Sequence, residues 1–366
     1  MFEVFGGIYD SITNSRDSRP SVSSWVFGAM RMSALATMCA LMLVTAKGYI
    51  GDNISCLSDF KGQEHKAVET YCFISATYTI VGLDENLAPH PGVGPSIGKQ
   101  ECEDDDEDCE TGDNMKRHAY YQWVPLVLMI QIAIYMFPKW FWDNLMDKEQ
   151  FFESIICDLD KVSSGSIEDK VEDSARYFKI SLSHHRTYAA KFMMCEILAF
   201  ALAVGNLYLT NDFLGGDFFH FGRNAVSYIT QPAFRPDNPL NEIFPKVAKC
   251  TWHKFGPSGT INTHDSLCVL PLNIVNEKTY IFLWIIYVTT AVVAGTVLLM
   301  HIILMLVKPL RNRYLMYLVY KDKTKKNLKN TLPKCNYGDW FIMYQFKTHM
   351  KHFSSWIART REVINE

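Results

Sequence analysis

The chain has 366 residues, 48% of them apolar, with 23 Phe, 18 Tyr, 16 Met and 8 Trp. Length alone would fit two soluble domains, but the apolar residues fall in blocks separated by polar stretches, which points away from soluble packing. A formal net charge of −3 is too mild to imply a nucleic-acid partner.

Taken in chain order, residues 1–22 mix Glu3, Asp10, Arg16, Asp17 and Arg19 with scattered apolar residues. They lack the short apolar core and small-residue cleavage site of a signal peptide, so none is expected. Phe2, Phe5, Ile8, Tyr9 and Ile12 share one face of a helix, and Glu3 and Asp10 lie elsewhere. Gly6-Gly7 weakens that helix and favours a bent one. A hydrocarbon core of ~30 Å needs about 20 mostly apolar residues in a helix. Residues 23–46 supply the first such block, apolar apart from Arg31, which is expected to snorkel to the interface.

Residues 47–118 form a long polar loop holding Cys56, Cys72, Cys102 and Cys109. Within it, 101–110 carries eight carboxylates around the last two cysteines, Asp104, Asp105, Asp106, Glu107 and Asp108 at the centre. Such a run is read either as a solvated loop or as a weak, calcium-attracting collar. It lacks the spacing and glycine of an EF-hand loop, so no definite metal site follows. Asn53-Ile54-Ser55 is a glycosylation sequon, expected to be empty because it lies close to the first span. The second span is placed at 119–139, with Pro125 one turn in, where loss of a backbone hydrogen bond predicts a kink.

The loop 140–190 is polar and carries His184-His185, a surface pair by this reading. The third span, 191–211, contains Glu196 about one turn from its start, expected to face protein or water. Residues 212–279 form a second long loop with Cys250 and Cys268. The fourth span, 280–307, is 28 residues without Asp, Glu, Lys or Arg. In the tail, 308–366, five lysines crowd 321–329, and apolar residues from Trp340 to Ile357 recur at helical spacing. A helical domain is expected there.

Lys and Arg cluster after the fourth span and at the ends of 140–190, which puts both termini and that loop in the cytoplasm. The two long loops then face outside, and they hold six of the ten cysteines, as an oxidising compartment requires. Six cysteines allow fifteen pairings. Cys102 and Cys109 close a local ring most easily, leaving Cys56, Cys72, Cys250 and Cys268 to pair within or between the loops. The chain is thus read as an all-α membrane protein of four transmembrane helices, two disulfide-linked extracellular loops and a helical cytoplasmic domain. No His-Glu-x-x-His, Asp-His-His-Cys or Gly-x-Ser-x-Gly pattern occurs, so neither enzyme chemistry nor a cofactor is expected. No Cys-Cys-Gly motif of a tetraspanin-like adhesion protein occurs either.

The sequence Tyr120-Tyr121-Gln122-Trp123-Val124, followed by Pro125, resembles the signature that opens the second span of innexins. Tyr49-Ile50-Gly51-Asp52 and His90-Pro91-Gly92-Val93 are similar to innexin segments. So are Phe244-Pro245-Lys246-Val247, Leu270-Pro271-Leu272-Asn273 through Lys278, and Tyr337-Gly338-Asp339-Trp340-Phe341. The resemblance implies a large-pore channel. Subunits, eight per hemichannel, form a homo-oligomer or mix with other innexins, and dock through their outer loops onto a hemichannel of the adjacent cell. It further implies the bonds Cys56–Cys268 and Cys72–Cys250, and an amino-terminal pore funnel involving Phe2, Glu3, Phe5 and Asp10. It associates the bend at Pro125 with gating and places the protein in the plasma membrane, in contact with lipid. A hemichannel that never docks, as in the related pannexins, is the alternative.

Overall fold

The computed structural model describes residues 24–58, 60–80, 115–146, 167–182, 185–230, 240, 243–319, 322–349 and 352–365. Four helices in it are long and apolar enough to cross a membrane: α1 (Trp25–Ile50), α3 (Val124–Met146), α5 (His185–Phe213) and α7 (Pro271–Leu306). Each contains most of one apolar block, but the ends differ. Residues 120–122 form a 3₁₀ turn ahead of α3, so this span begins at Val124 rather than 119. α5 starts at His185, because the charged stretch before the apolar block is also helical. Glu196 therefore lies three turns into its helix.

The elements fall into two units. The helical unit draws on described residues within 1–35, 134–204 and 289–366. Beyond parts of the four long helices it holds α4 (Ile167–Ile180), α8 (Lys308–Leu318), α9 (Asp322–Thr331), α10 (Tyr337–His349) and α11 (Phe353–Asn365). Its core is aromatic. Trp142 of α3 meets Phe192 of α5 edge-on at 5.1 Å, and Phe192 lies 4.9 Å from Phe341 of α10. Phe178 of α4 and Phe346 of α10 both pack on Trp356 of α11. Burying rings of this size supplies most of the stabilisation, at about 25 cal/mol per Å² of apolar surface. On α9, Thr324, Asn327, Leu328 and Thr331 face inward while Lys323, Lys326 and Lys329 stay in solvent. The lysine-rich stretch is thus one face of an amphipathic helix.

The disulfide unit comprises described residues within 36–133 and 205–288. Alongside its share of the long helices it contains α2 (Gln63–Ser75), α6 (Phe218–Thr230) and a five-stranded antiparallel sheet. The strands are β1 (Ser55–Leu57), β2 (Thr77–Ile80), β3 (Met115–His118), β4 (Val247–Phe255) and β5 (Ile261–Val269), in the order β1-β5-β4-β2-β3. Strands from the first loop flank a central hairpin from the second. The all-α reading of the chain did not include this sheet. α6 presses on α7 at Gly222, where an added Cβ would stand 2.0 Å from the Trp284 ring.

Gly338 marks the tightest approach in the helical unit. A Cβ there would lie 2.4–2.6 Å from backbone atoms of His185 and Arg186, which cannot rotate away. Gly338→Ala is expected to cost about 1–3 kcal/mol through overpacking. The measurement is thermal unfolding of the purified protein, with Gly28→Ala, whose methyl meets nothing within 4 Å, as the comparison. Equal melting of the two variants would refute the contact.

Candidate functional site

Two groups of side chains position the parts a channel needs: those that join the outer loops, and those that hold the spans together. In the loops, the structure bonds Cys56 to Cys268 and Cys72 to Cys250, across sequence separations of 212 and 178. These are the pairs implied by the family resemblance. Cys56 and Cys268 are direct partners in the β1–β5 register. Cys250 of β4 reaches instead to Cys72, so the second bond ties α2 to the sheet. Around both lies a small core of Ile54, Val68, Ala248 and Leu270, with Phe60, Phe73 and Trp252 packed against it. Cys102, Cys109 and the acidic run Asp104, Asp105, Asp106, Glu107 and Asp108 lie outside the described residues. So do Phe2, Glu3, Phe5 and Asp10, and also Cys157 and His184.

Three of the segments that resemble innexins, at 120–124, 244–247 and 270–278, meet one another. Gln122 donates its side-chain amide to the carbonyls of Phe73 (2.5 Å) and Ile74 (3.2 Å), the last-turn acceptors that α2 leaves unsatisfied. The Tyr121 hydroxyl donates to the same Phe73 carbonyl at 3.3 Å, and its ring lies 5.2 Å from the Phe73 ring. The Tyr120 ring packs edge-on against Phe244. In the second loop, Asn273 donates to the Pro245 carbonyl at 2.9 Å. Fully buried Glu277 takes Lys246 at 3.3 Å and Lys278 at 2.7 Å. Burial of a carboxylate at the head of α7 is tolerable because two ammonium groups pair with it.

Pro125 requires a correction. It is the second residue of α3, where the missing N–H is one of the helix's unpartnered donors in any case, so no ladder bond is lost. The proline inside the helix is Pro138, near the other end. His185 also departs from its expected surface position. It is buried, its Nδ1 2.8 Å from Asp339 and its ring stacked 5.2 Å from Phe178. Asp339 additionally accepts from the backbone N–H of Asn336, and the Trp340 indole donates to the Arg311 carbonyl at 3.1 Å. Arg311 lies over the Tyr337 ring, and burial lowers its pKa from the usual guanidinium value.

Within the spans, a single hydrogen-bond chain joins all four helices in the disulfide unit. Thr37 of α1 donates to the Tyr287 hydroxyl of α7 (2.9 Å), and Tyr287 donates to Oε1 of Gln131 on α3 (2.9 Å). Gln131 Nε2 donates to Thr210 of α5 (2.8 Å), whose hydroxyl donates to the Asn206 carbonyl (2.7 Å). All four side chains are fully buried. The helical unit has its own polar cluster. Glu196 of α5, fully buried, accepts from Ser24 at 2.7 Å and meets Nδ1 of His301 on α7 at 2.5 Å. Ser24 in turn accepts from the Val26 N–H, capping the first turn of α1. Among the described residues, Cys39, Cys195 and Cys335 are free thiols. Spacing would have found Gln131 and Tyr287 only as polar residues inside apolar blocks, with no indication that they meet.

Two measurements follow. Gln131→Leu removes both central links and should destabilise by about 1–3 kcal/mol, since interhelical bonds in membranes average roughly 0.6 and reach ~1.7 kcal/mol. Combined with Tyr287→Phe in unfolding experiments, the losses should be less than additive; strict additivity would mean that the chain is not a unit. His118 is buried on β3, with Nε2 2.7 Å from the Thr79 hydroxyl. Burial first, and the charge of Lys116 second, push its pKa from 6.5 down to about 4. Protonation therefore favours the unfolded chain. Its contribution is complete above pH 6.5 and fades as pH falls toward 4, by up to about 3 kcal/mol. His118→Gln should flatten stability over that window, and an unchanged pH profile would rule the effect out.

A profile of the innexin family matches residues 29–361. Innexin inx2 of Drosophila melanogaster is 33% identical over 359 residues, covering 94% of this chain and 90% of that protein. Innexin inx3 of the same fly is 33% identical over 311 residues, covering 85% and 75%. Innexin inx1 of Schistocerca americana is 34% identical over 327 residues, covering 87% and 85%. With four membrane-length helices and two inter-loop disulfides already in place, this chain belongs to the innexin family.

Proposed function

We infer that the protein is a gap-junction channel subunit that passes ions and small metabolites between adjacent cells. In this reading, both termini and residues 140–190 are cytoplasmic. Eight copies ring one pore, and the amino-terminal segment with Phe2, Glu3, Phe5 and Asp10 lines its inner mouth. Other innexins are candidate co-subunits, and the acidic run at 104–108 belongs to the outer vestibule.

One observation carries the docking part of this reading. The disulfides bind two distant loops into one sheet, whose β4–β5 hairpin presents Phe255 and Ile261 to solvent at 75% and 65% exposure. Large apolar side chains at the tip of a cross-linked hairpin are costly in water and suit a protein partner. A hairpin already fixed by covalent bonds loses little further freedom on docking, and that favours a stable junction.

The test compares paired cells with single cells. Cys72→Ser, Cys250→Ser, Cys56→Ser and Cys268→Ser should each abolish junctional current, because removing a native disulfide from a small extracellular module costs about 2–5 kcal/mol. Phe255→Asp should abolish junctional current between cells while leaving single-cell hemichannel current measurable. Normal coupling in the cysteine variants, or equal loss of both currents with Phe255→Asp, would remove the docking assignment.

A further inference from the structure

Where α7 ends, the chain turns sharply. Val307 is extended, with φ −108° and ψ 89°, and Pro309 sits in the first turn of α8. On α7, Thr296, Leu299, Met300 and Ile303 follow the i, i+3, i+4, i+7 spacing of one helical face. On α8, Leu310, Arg313, Tyr314 and Tyr317 repeat that spacing. The two stripes line one open cavity of about 530 Å³. From Thr296 to Ile303 the α7 stripe runs roughly 10 Å at about 1.5 Å per residue.

The walls are apolar and the charge has one sign. Arg313 is the only ionisable side chain other than tyrosine in the lining. Between Glu277 and Asp322 the sequence contains no Asp or Glu, while Lys308, Arg311 and Arg313 gather at the turn. Arg311 is buried under Tyr337, but Lys308 and Arg313 are exposed. Among the described residues no carboxylate pairs with Arg313. Leu299 (58% exposed) and Tyr317 (86%) leave the groove open from the side. A groove apolar along its length and cationic at one end matches a molecule with a hydrocarbon tail and an anionic head. Tyrosines at that end suit the headgroup level of a bilayer. A soluble phosphate would leave the α7 stripe uncovered, and a zwitterionic lipid, whose own cation offsets its phosphate, would leave the summed positive potential of Arg313 and Lys308 uncompensated.

We propose that this groove is a binding site for one anionic glycerophospholipid of the cytoplasmic leaflet. The acyl chain lies along the α7 stripe and the phosphate meets Arg313, with Lys308 adding to the local positive potential. The choice of leaflet rests on the cytoplasmic placement of the tail given above. A bound lipid there would couple α8, and through the Trp340–Arg311 bond α10, to the membrane end of α7.

The full-length protein would be reconstituted in bilayers of phosphatidylcholine with a minority of phosphatidylserine, each lipid supplied in turn with a photoactivatable acyl chain. Phosphatidylserine should label the peptides containing 296–303 and 310–317 in preference to phosphatidylcholine. Arg313→Gln should reduce that preference about fivefold, equivalent to about 1 kcal/mol for one basic residue at an anionic surface, and leave phosphatidylcholine labelling unchanged. Leu299→Trp, which fills the groove, should lower labelling by both lipids. Equal labelling by the two lipids in the unmodified protein, or no response to either variant, would overturn the site. So would cross-linking of a photoreactive residue at 299 to a neighbouring copy instead of lipid. Conductance of the unmodified protein in the same bilayers reads the channel assignment separately. Conductance without labelling sinks only the lipid site, and labelling without conductance sinks only the channel reading.

Discussion

Inside a bilayer no water is present to satisfy a polar atom, so a polar side chain placed on a span must find a partner on its own helix or on another. That constraint organises this molecule. The four long helices are apolar enough that lipid and protein offer them nearly the same solvent, so hydrophobicity alone does not choose which helix faces touch. The chain Thr37–Tyr287–Gln131–Thr210 does choose. It ties the four helices to one another through fully buried side chains, so rotating any one of them breaks a link. In the helical unit, Glu196 plays the corresponding part by holding Ser24 and His301 together. The individual bonds are weak. Their effect on specificity is larger than their energy, because every alternative helix register leaves several groups unpaired at once.

Outside the spans the problem is reversed, because water is plentiful and apolar surface is scarce. The core around the two disulfides holds few residues, fewer than a domain of this kind needs to fold by burial alone. Cross-linking across separations of 212 and 178 residues removes much of the freedom of the unfolded loops, and it does so most effectively for long closures. The sheet is therefore a product of its two disulfides as much as of strand propensity. Its outer strands are only three or four residues long and would not pair in isolation.

The spans were legible because they are written in composition, which a window of about 20 residues averages reliably. The sheet was not legible, since β1 pairs with β5 across more than two hundred residues and no local pattern encodes such a pairing. In the structure β4 and β5 alternate, with Ala248 and Cys250, and Ser266 and Cys268, inward and their neighbours less buried. Pro125 was misplaced because helix ends are set by hydrogen bonding and capping, whereas apolar blocks end where charge begins. His185 looked like a surface residue because its partner, Asp339, lies 154 positions away.

Four of the segments that resemble innexins, at 120–124, 244–247, 270–278 and 337–341, turn out to be joints. Gln122 and Tyr121 close the end of α2 onto the entry to α3, and Asn273 and Glu277 fasten the entry of α7 to Pro245 and Lys246. Gly338 and Asp339 bring α10 against the start of α5. None of these groups is arranged for bond-breaking chemistry; each fixes the angle at which a loop or tail meets a span. For a channel this is the expected distribution of constraint. Pore dimensions depend on helix orientation, and orientation is set at helix ends, where a small displacement is multiplied along some 20–36 residues of rigid rod. The joints carry the functional information of this chain because they set the geometry that the permeating ion meets.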